Sequence, residues 1–98
     1  MKRDEVLRVL AAHREEFAAM GVRELAIFGS VARDEAATDS DVDVLVDYLP
    51  GTKLSYFRLF DLQERLEELL GAKVDLVTMG GLRRELRAGI LAEAIRAA

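Results

Sequence analysis

The run DVDVLVDY, residues 41–48, alternates acidic and apolar side chains with a period of two. Successive side chains of a β-strand point to opposite faces of its sheet. One face of this strand would therefore carry Val42, Val44 and Val46. The other would carry Asp41, Asp43, Leu45 and Asp47. A strand of this kind is covered by an apolar layer on one side only, which favours a two-layer domain of sheet and helices.

Apolar residues at helical spacing predict the helices. A first helix runs from about Asp4 to Met20, with Gly21 as its stop, and a short helix or turn follows Ser30. A third helix begins after Ser55 as N-cap and ends at Gly71. The last run, LRRELRAGILAEAIRAA, predicts a closing helix with four residues facing inward, namely Leu82, Leu86, Ile90 and Ala94. Phe57, near the start of the third helix, is expected by default to pack in the core, and the alternative is a nucleotide-base pocket or a partner surface.

The apolar runs ELAIFG, DVDVLVDY and AKVDLVTM predict three strands between these helices. The resulting order, α-β-α-β-α-β-α, predicts an α/β (α+β) domain with a small mixed β-sheet of about three strands flanked by helices. We expect residues 1–98 to form a single domain. The single histidine, His13, has no ligand companion nearby and is expected at the surface or its boundary.

Composition narrows the function classes. The chain has no cysteine, so disulfides and thiolate metal sites are excluded, and no apolar run approaches the roughly 20 residues of a membrane span. We therefore expect a cytoplasmic protein. Six of the 18 acidic residues fall between Asp34 and Thr52, where there is no Lys or Arg. A dominant basic stripe is absent, so direct, general nucleic-acid binding is not expected.

Asp41 and Asp43 leave the same face of their strand, roughly 7 Å apart at the Cα atoms. Two like charges there repel each other unless a cation lies between them, and Mg²⁺ is the hard cation that takes carboxylate oxygens. Asp75, in the middle of the apolar run AKVDLVTM, would join them if its strand pairs with theirs. Three carboxylates could then hold two metal ions about 4 Å apart. The plainer interpretation is a solvated edge strand with Asp75 on the same wet face.

Gly29 and Ser30 follow the first strand and open a short helix. A glycine there lets the backbone come close to a ligand, and the N–H groups with the Ser30 hydroxyl suit a phosphate. The pair alone also fits an ordinary turn from strand to helix, with Ser30 as N-cap.

The motifs FGSVAR, SDVDVLV and VDLV together resemble the DNA polymerase beta-like nucleotidyltransferase superfamily, and within it the minimal nucleotidyltransferase (MNT) group. The resemblance covers nearly the whole chain in element order and implies the nucleotidyltransferase fold. It implies that Gly29, Ser30, Arg33 and Ser40 bind the nucleotide. It also implies that Asp41, Asp43 and Asp75 hold Mg²⁺, with Asp75 helping to deprotonate the nucleophile. The alternative for Arg33 is an ordinary surface arginine at the end of the short helix.

The resemblance implies transfer of a nucleoside monophosphate, with AMP from ATP as the first choice, to a hydroxyl of a protein acceptor. Minimal members are similar to the antitoxin half of toxin–antitoxin pairs whose partner is a HEPN-type ribonuclease. The alternative is a non-catalytic module that neutralises its partner by complex formation, and an oligomer is compatible with either. The sequence departs from the group at Asp34, where a glycine usually follows the arginine, and this puts the local turn in question.

Overall fold

The structure is a computed structural model that describes residues 1–36 and 41–98. The helices of this part of the chain are α1 (Arg3–Ala12), α2 (Arg14–Ala19), α3 (Gly29–Ala32), α4 (Tyr56–Leu70) and α5 (Arg84–Glu93). The strands are β1 (Val22–Phe28), β2 (Val42–Tyr48), β3 (Val74–Thr78) and β4 (Ile95–Arg96). A 3₁₀ turn, Met79–Gly81, leads out of β3. No helix in the described ranges is long and apolar enough to cross a membrane.

The four strands form one mixed sheet in the order β3-β2-β1-β4. β1 is antiparallel to both β2 and β4, whereas β2 and β3 are parallel and are joined through α4. A parallel pair needs a long crossover, and an amphipathic helix is the usual one. The predicted fold class is confirmed, with four strands where three were expected.

The main core lies between one face of the sheet and helices α1, α2 and α4. The three valines of β2 that were predicted to face inward are fully buried there. Helix α4 contributes Leu62, Leu66 and Leu70, spaced at one turn. A smaller cluster on the opposite face contains Phe28, Leu45 and Leu82, with Ile90 of α5 packed against it.

Local signals fixed the ends of α4. The Ser55 hydroxyl accepts a hydrogen bond from the Arg58 N–H at 3.2 Å, as an N-cap should. Gly71 ends the helix with φ +63°, the left-handed conformation that a glycine adopts without a Cβ penalty. Phe57 was expected in the core, and this is wrong. It is 82% exposed, because the buried stripe of α4 runs along another face of the helix.

The predicted first helix is interrupted at His13. In a continuous helix the His13 N–H would bond to the Val9 carbonyl. Here the ring Nδ1 lies 2.9 Å from that carbonyl, and the backbone N–H donates to Leu10 instead. α1 and α2 are therefore separate helices, and Gly21 follows α2 with φ +86°. His13 was expected at the surface or its boundary, and it is half-buried.

The predicted closing helix is too long. Helix α5 ends at Glu93, and the chain then becomes β4, where Ile95 pairs with Ile27 and Arg96 with Ala26. Further along, the Leu25 N–H donates to the Ala98 carbonyl at 2.9 Å. The outer edge of β1 has backbone groups that require partners, and this pairing overrides the helical pattern. Leu86 was also expected to face inward, but it is 55% exposed.

Candidate active site

Asp43 is the centre of the polar face of the sheet. Its partner in β3 is Asp75 and its partner in β1 is Phe28, so these three side chains stand side by side. They lie opposite the main core, because their neighbours Val42 and Val74 point into it. The strand of Asp75 pairs with that of Asp43 in direct register, which meets the condition for Asp75 to join the other carboxylates.

Asp41 lies one residue before β2, two residues from Asp43 along an extended chain. Asp41 and Asp75 are exposed, whereas Asp43 is half-buried. Burial raises the pKa of Asp43, and the charges of Asp75, Asp41 and Glu93 raise that pKa further. Arg33 acts in the opposite direction, as the weakest of the five influences. Negative charge is thus concentrated around one partly desolvated carboxylate, which is an environment that favours a bound cation.

Gly29 has no room for a side chain. Its φ is +72°, a left-handed value that favours glycine. A Cβ built on Gly29 would overlap Oδ2 of Asp43 far inside van der Waals contact. The sequence predicted a close approach of backbone to ligand at this position. In the structure the close approach is between the Gly29 backbone and the Asp43 carboxylate, so the turn and the carboxylate set each other's positions.

Glu93, at the end of α5, holds the other side of this turn. Its Oε1 accepts a hydrogen bond from the Gly29 N–H at 3.0 Å, and its Oε2 accepts one from Nη1 of Arg33 at 2.9 Å. These two contacts, the backbone one first, lower the pKa of Glu93. The Arg33 Nε also donates to Glu35 at 3.2 Å. Arg33 is therefore paired with carboxylates, and a role in nucleotide binding stays a prediction.

Sequence reasoning missed Glu93. It lies in a run that reads as one long helix, and no local pattern marks it as a neighbour of the Gly-Ser turn. Its position depends on the pairing of β4 with β1, which brings Glu93 beside Gly29, 64 residues earlier in the chain.

Ser30 is half-buried in α3, and its backbone carbonyl accepts from the Glu35 N–H at 2.8 Å. Its proposed contact with phosphate stays a prediction. Ser40, also expected to bind the nucleotide, lies outside the described residues. The structure thus brings together Gly29, Arg33, Asp43 and Asp75, with Asp41 exposed beside them.

Asp34, the departure from the expected glycine, keeps the turn that a glycine would make. Its φ is +60°, and it is the one residue other than glycine in the described ranges with a positive φ. Aspartate tolerates this conformation better than most residues, since its short polar side chain can bond locally. Asp34 Oδ1 accepts a hydrogen bond from the Arg3 N–H at 3.3 Å.

Comparison with known protein families identifies the family of this chain. Residues 10–97 match the family described as the nucleotidyltransferase domain. The chain is a member of this nucleotidyltransferase family. The resemblance to the minimal group, inferred from three short motifs, is confirmed, and the protein is an enzyme of the nucleotidyltransferase class.

Individual relatives agree with this assignment. The nucleotidyltransferase is 41% identical over 95 residues to the protein adenylyltransferase MntA of Thermococcus cleftensis, covering 94% of this chain and 92% of that one. A solved structure described as a minimal nucleotidyltransferase has a TM-score of 0.82 and 38% identity, covering 97% of this chain and 95% of that chain.

A chain in the structure of a tri-AMPylated HEPN toxin in complex with MNT antitoxin, from Shewanella oneidensis, has a TM-score of 0.60 at 16% identity. That alignment covers 91% of this chain and 71% of that one, and it shows a likeness of fold.

The carboxylates of this nucleotidyltransferase suit a divalent cation by their chemistry. Asp41, Asp43 and Asp75 offer only oxygen ligands, which Mg²⁺ prefers. Burial first, and the neighbouring acids next, raise the pKa of Asp43, so a nearby cation would favour its ionised form. Within residues 1–36 and 41–98 no three acidic or histidine side chains converge closely enough to enclose a metal ion. Asp41 and Asp75 are exposed, so their side chains can reorient without disturbing the core.

Proposed function

We propose that this nucleotidyltransferase transfers AMP from ATP to a hydroxyl of a protein acceptor, with Mg²⁺ as cofactor, and acts as antitoxin to a HEPN-type toxin in the cytoplasm. The observation that carries the proposal is the placement of Asp43 beside Asp75 and against the backbone of Gly29. The names of the relatives support the choice of AMP, of a protein acceptor and of a HEPN partner.

In the proposed reaction the oxygen of the acceptor hydroxyl bonds to the α-phosphorus of ATP. The bond from that phosphorus to the bridging oxygen breaks, and pyrophosphate leaves. The hydroxyl proton passes to Asp75. When bound, Mg²⁺ would neutralise charge on the triphosphate and favour the attacking oxygen.

The chain's own residues have separate parts in this scheme. Asp41, Asp43 and Asp75 would hold the cation. Gly29 has no Cβ, so the Asp43 carboxylate can stand against the turn that we propose faces a phosphate. The Ser30 hydroxyl, at the start of α3, would bond to a phosphate oxygen.

The test uses α-phosphate-labelled ATP, Mg²⁺ and a purified HEPN-type toxin as the acceptor. The wild-type chain should label the HEPN-type protein, and an Asp41→Ala/Asp43→Ala variant should not. Asp47→Asn is the matched control, because Asp47 lies on the same face of β2 but is paired with Arg23 at 3.0 Å. Equal labelling by the double variant, or no labelling by the wild type, would contradict the proposal.

A second candidate function is neutralisation by docking alone. It is favoured by an exposed apolar group at the start of α4, which consists of Leu54, Tyr56, Phe57 and Phe60. Contiguous exposed apolar surface is typical of protein interfaces. If the Asp41→Ala/Asp43→Ala variant still neutralises the toxin in cells, docking suffices and catalysis is not required.

A further inference from the structure

Helix α5 contacts the Gly-Ser turn through the charged side chain of Glu93. The Glu93 carboxylate takes the Gly29 N–H with one oxygen and the Arg33 guanidinium with the other, at 3.0 and 2.9 Å. Both partners belong to the segment that ends β1 and forms α3. One side chain therefore ties together the two ends of the Gly-Ser turn.

The backbone fixes where Glu93 lies. β4 pairs with β1 so that Ile95 is opposite Ile27 and Arg96 is opposite Ala26. Continuing this antiparallel register by two residues places Glu93 opposite Gly29. The carboxylate thus takes the N–H that a longer β4 would have taken with its backbone.

Glu93 and Asp43 contact Gly29 from opposite sides. β4 lies on one side of β1 and β2 on the other, so Glu93 approaches from the side away from Asp43. Asp43 Oδ2 stands against the Cα of the same glycine, within the distance where a Cβ would clash. The turn is held from the α5 side by hydrogen bonds and is limited from the β2 side by van der Waals contact.

Resting on the proposed nucleotidyl transfer, we propose that Glu93 is a positioning residue. Its carboxylate holds Gly29 and Arg33, and thereby sets the distance between the Gly-Ser turn and Asp43. Glu93 touches neither nucleotide nor acceptor in this scheme. Its effect reaches the reaction through the turn, where misplacement by about 1 Å can cost 10²-fold in rate.

Helix α5 has little apolar packing of its own to fix its position on the sheet. None of its residues is fully buried, and Leu86 and Leu91 are exposed. Apolar packing of α5 itself is therefore modest, and the contacts at Glu93 and the adjoining β4 attach its end to the sheet. Glu93 is also poorly placed to block a phosphate from the site. Its carboxylate oxygens lie where a longer β4 would pair with β1, on the side of Gly29 away from Asp43.

The test compares Glu93→Ala and Glu93→Gln with Glu85→Gln as the matched control, since Glu85 is an exposed acid in the first turn of the same helix. We expect kcat of labelling to fall about tenfold or more in Glu93→Ala, with a smaller change in KM for ATP. Glu93→Gln keeps an acceptor for the Gly29 N–H but loses the charge facing Arg33, so its loss should be intermediate. Glu85→Gln should behave as wild type.

A second readout does not depend on activity. Hydrogen exchange of the Gly29 amide, followed by NMR, should accelerate about tenfold or more in Glu93→Ala and remain unchanged in Glu85→Gln. The thermal midpoint of each variant is measured alongside. If Glu93→Ala fails to fold, Glu93→Gln supplies both comparisons.

The outcomes separate the inference from the proposed function. Unchanged kcat and unchanged Gly29 exchange in folded Glu93 variants would overturn the positioning role while leaving nucleotidyl transfer intact. Higher activity, or tighter binding of a non-hydrolysable ATP analogue with Mg²⁺, in Glu93→Ala would also overturn it, since Glu93 would then compete with phosphate. A wild-type chain that neither labels a partner nor binds that analogue contradicts the proposed function, and the positioning role with it.

Discussion

Asp43 on β2 and Asp75 on β3 are direct partners across a parallel strand pair, although the 15-residue helix α4 lies between them in the chain. Both carboxylates leave the face opposite the main core. Two acids side by side on a sheet destabilise it unless something compensates for their charge. The first two predictions follow from this repulsion.

Asp43→Asn should raise the thermal midpoint of the chain in the absence of divalent cations. The pKa of Asp43 is raised in the folded state by burial and by neighbouring acids, so ionisation opposes folding. The opposition is absent below the unfolded-state pKa of about 3.9, grows between that value and the higher folded-state pKa, and is constant at higher pH. The stability gain of Asp43→Asn should therefore be full at pH 7 and vanish near pH 3, as measured by thermal unfolding across pH.

Asp47→Asn serves as the control for that series. Asp47 has the Arg23 guanidinium at 3.0 Å, so removing its charge should bring no gain. Equal stabilisation by the two substitutions would show that general acidity, rather than the site, is responsible.

Mg²⁺ should stabilise the wild-type chain and EDTA should reverse the effect. A ligand that binds only the folded state at 100 times its Kd adds about 2.7 kcal/mol to the free energy of unfolding. The shift should be much smaller in Asp43→Asn, which has lost the central ligand. If millimolar Mg²⁺ leaves the thermal midpoint of the wild-type chain unchanged, these carboxylates do not bind the cation in the absence of nucleotide.

Gly29→Ala should be more damaging than Gly51→Ala. Both glycines have positive φ, +72° and +85°, so alanine costs each about 1–2 kcal/mol in backbone strain. A Cβ at Gly51 meets open space, whereas one at Gly29 meets Asp43. Chemical denaturation should show the larger loss for Gly29→Ala, and labelling should be abolished in that variant alone. Similar stability losses in the two would mean that Asp43 moves aside freely.

Asp34→Gly should stabilise the chain by about 1 kcal/mol. The left-handed φ of +60° is strained for a residue with a Cβ, and glycine removes that strain at the cost of one exposed hydrogen bond from the Arg3 N–H. Asp34→Asn, which keeps a short side chain that tolerates this conformation, should be close to neutral. Urea denaturation of the three proteins checks the order, and a destabilised Asp34→Gly would show that the Arg3 contact outweighs the strain.

Much of the fold was readable in the sequence because its causes are local. The alternation in β2 fixed which side chains enter the core, and all three predicted valines are buried. Ser55 and Gly71 marked the ends of α4 through the conformations that caps require. The family was also recognisable in the sequence, since each of its three motifs is a short continuous stretch of residues.

Other features arise between distant segments and have no local pattern. Ile95 and Arg96 read as helix, yet they pair with β1 because its outer edge needs hydrogen-bond partners. The break at His13 follows from a ring nitrogen that takes the Val9 carbonyl, a choice that periodicity does not reveal.

The site carboxylates show the same difference between local and long-range causes. The sequence by itself determined that Asp41 and Asp43 share a face, because a strand has a period of two. Only the tertiary structure decided that Asp75 is the direct partner of Asp43, that Gly29 stands against its carboxylate, and that Glu93 holds the turn. Strand register and helix docking are settled by burial and backbone pairing over the whole sheet, so no single segment contains them.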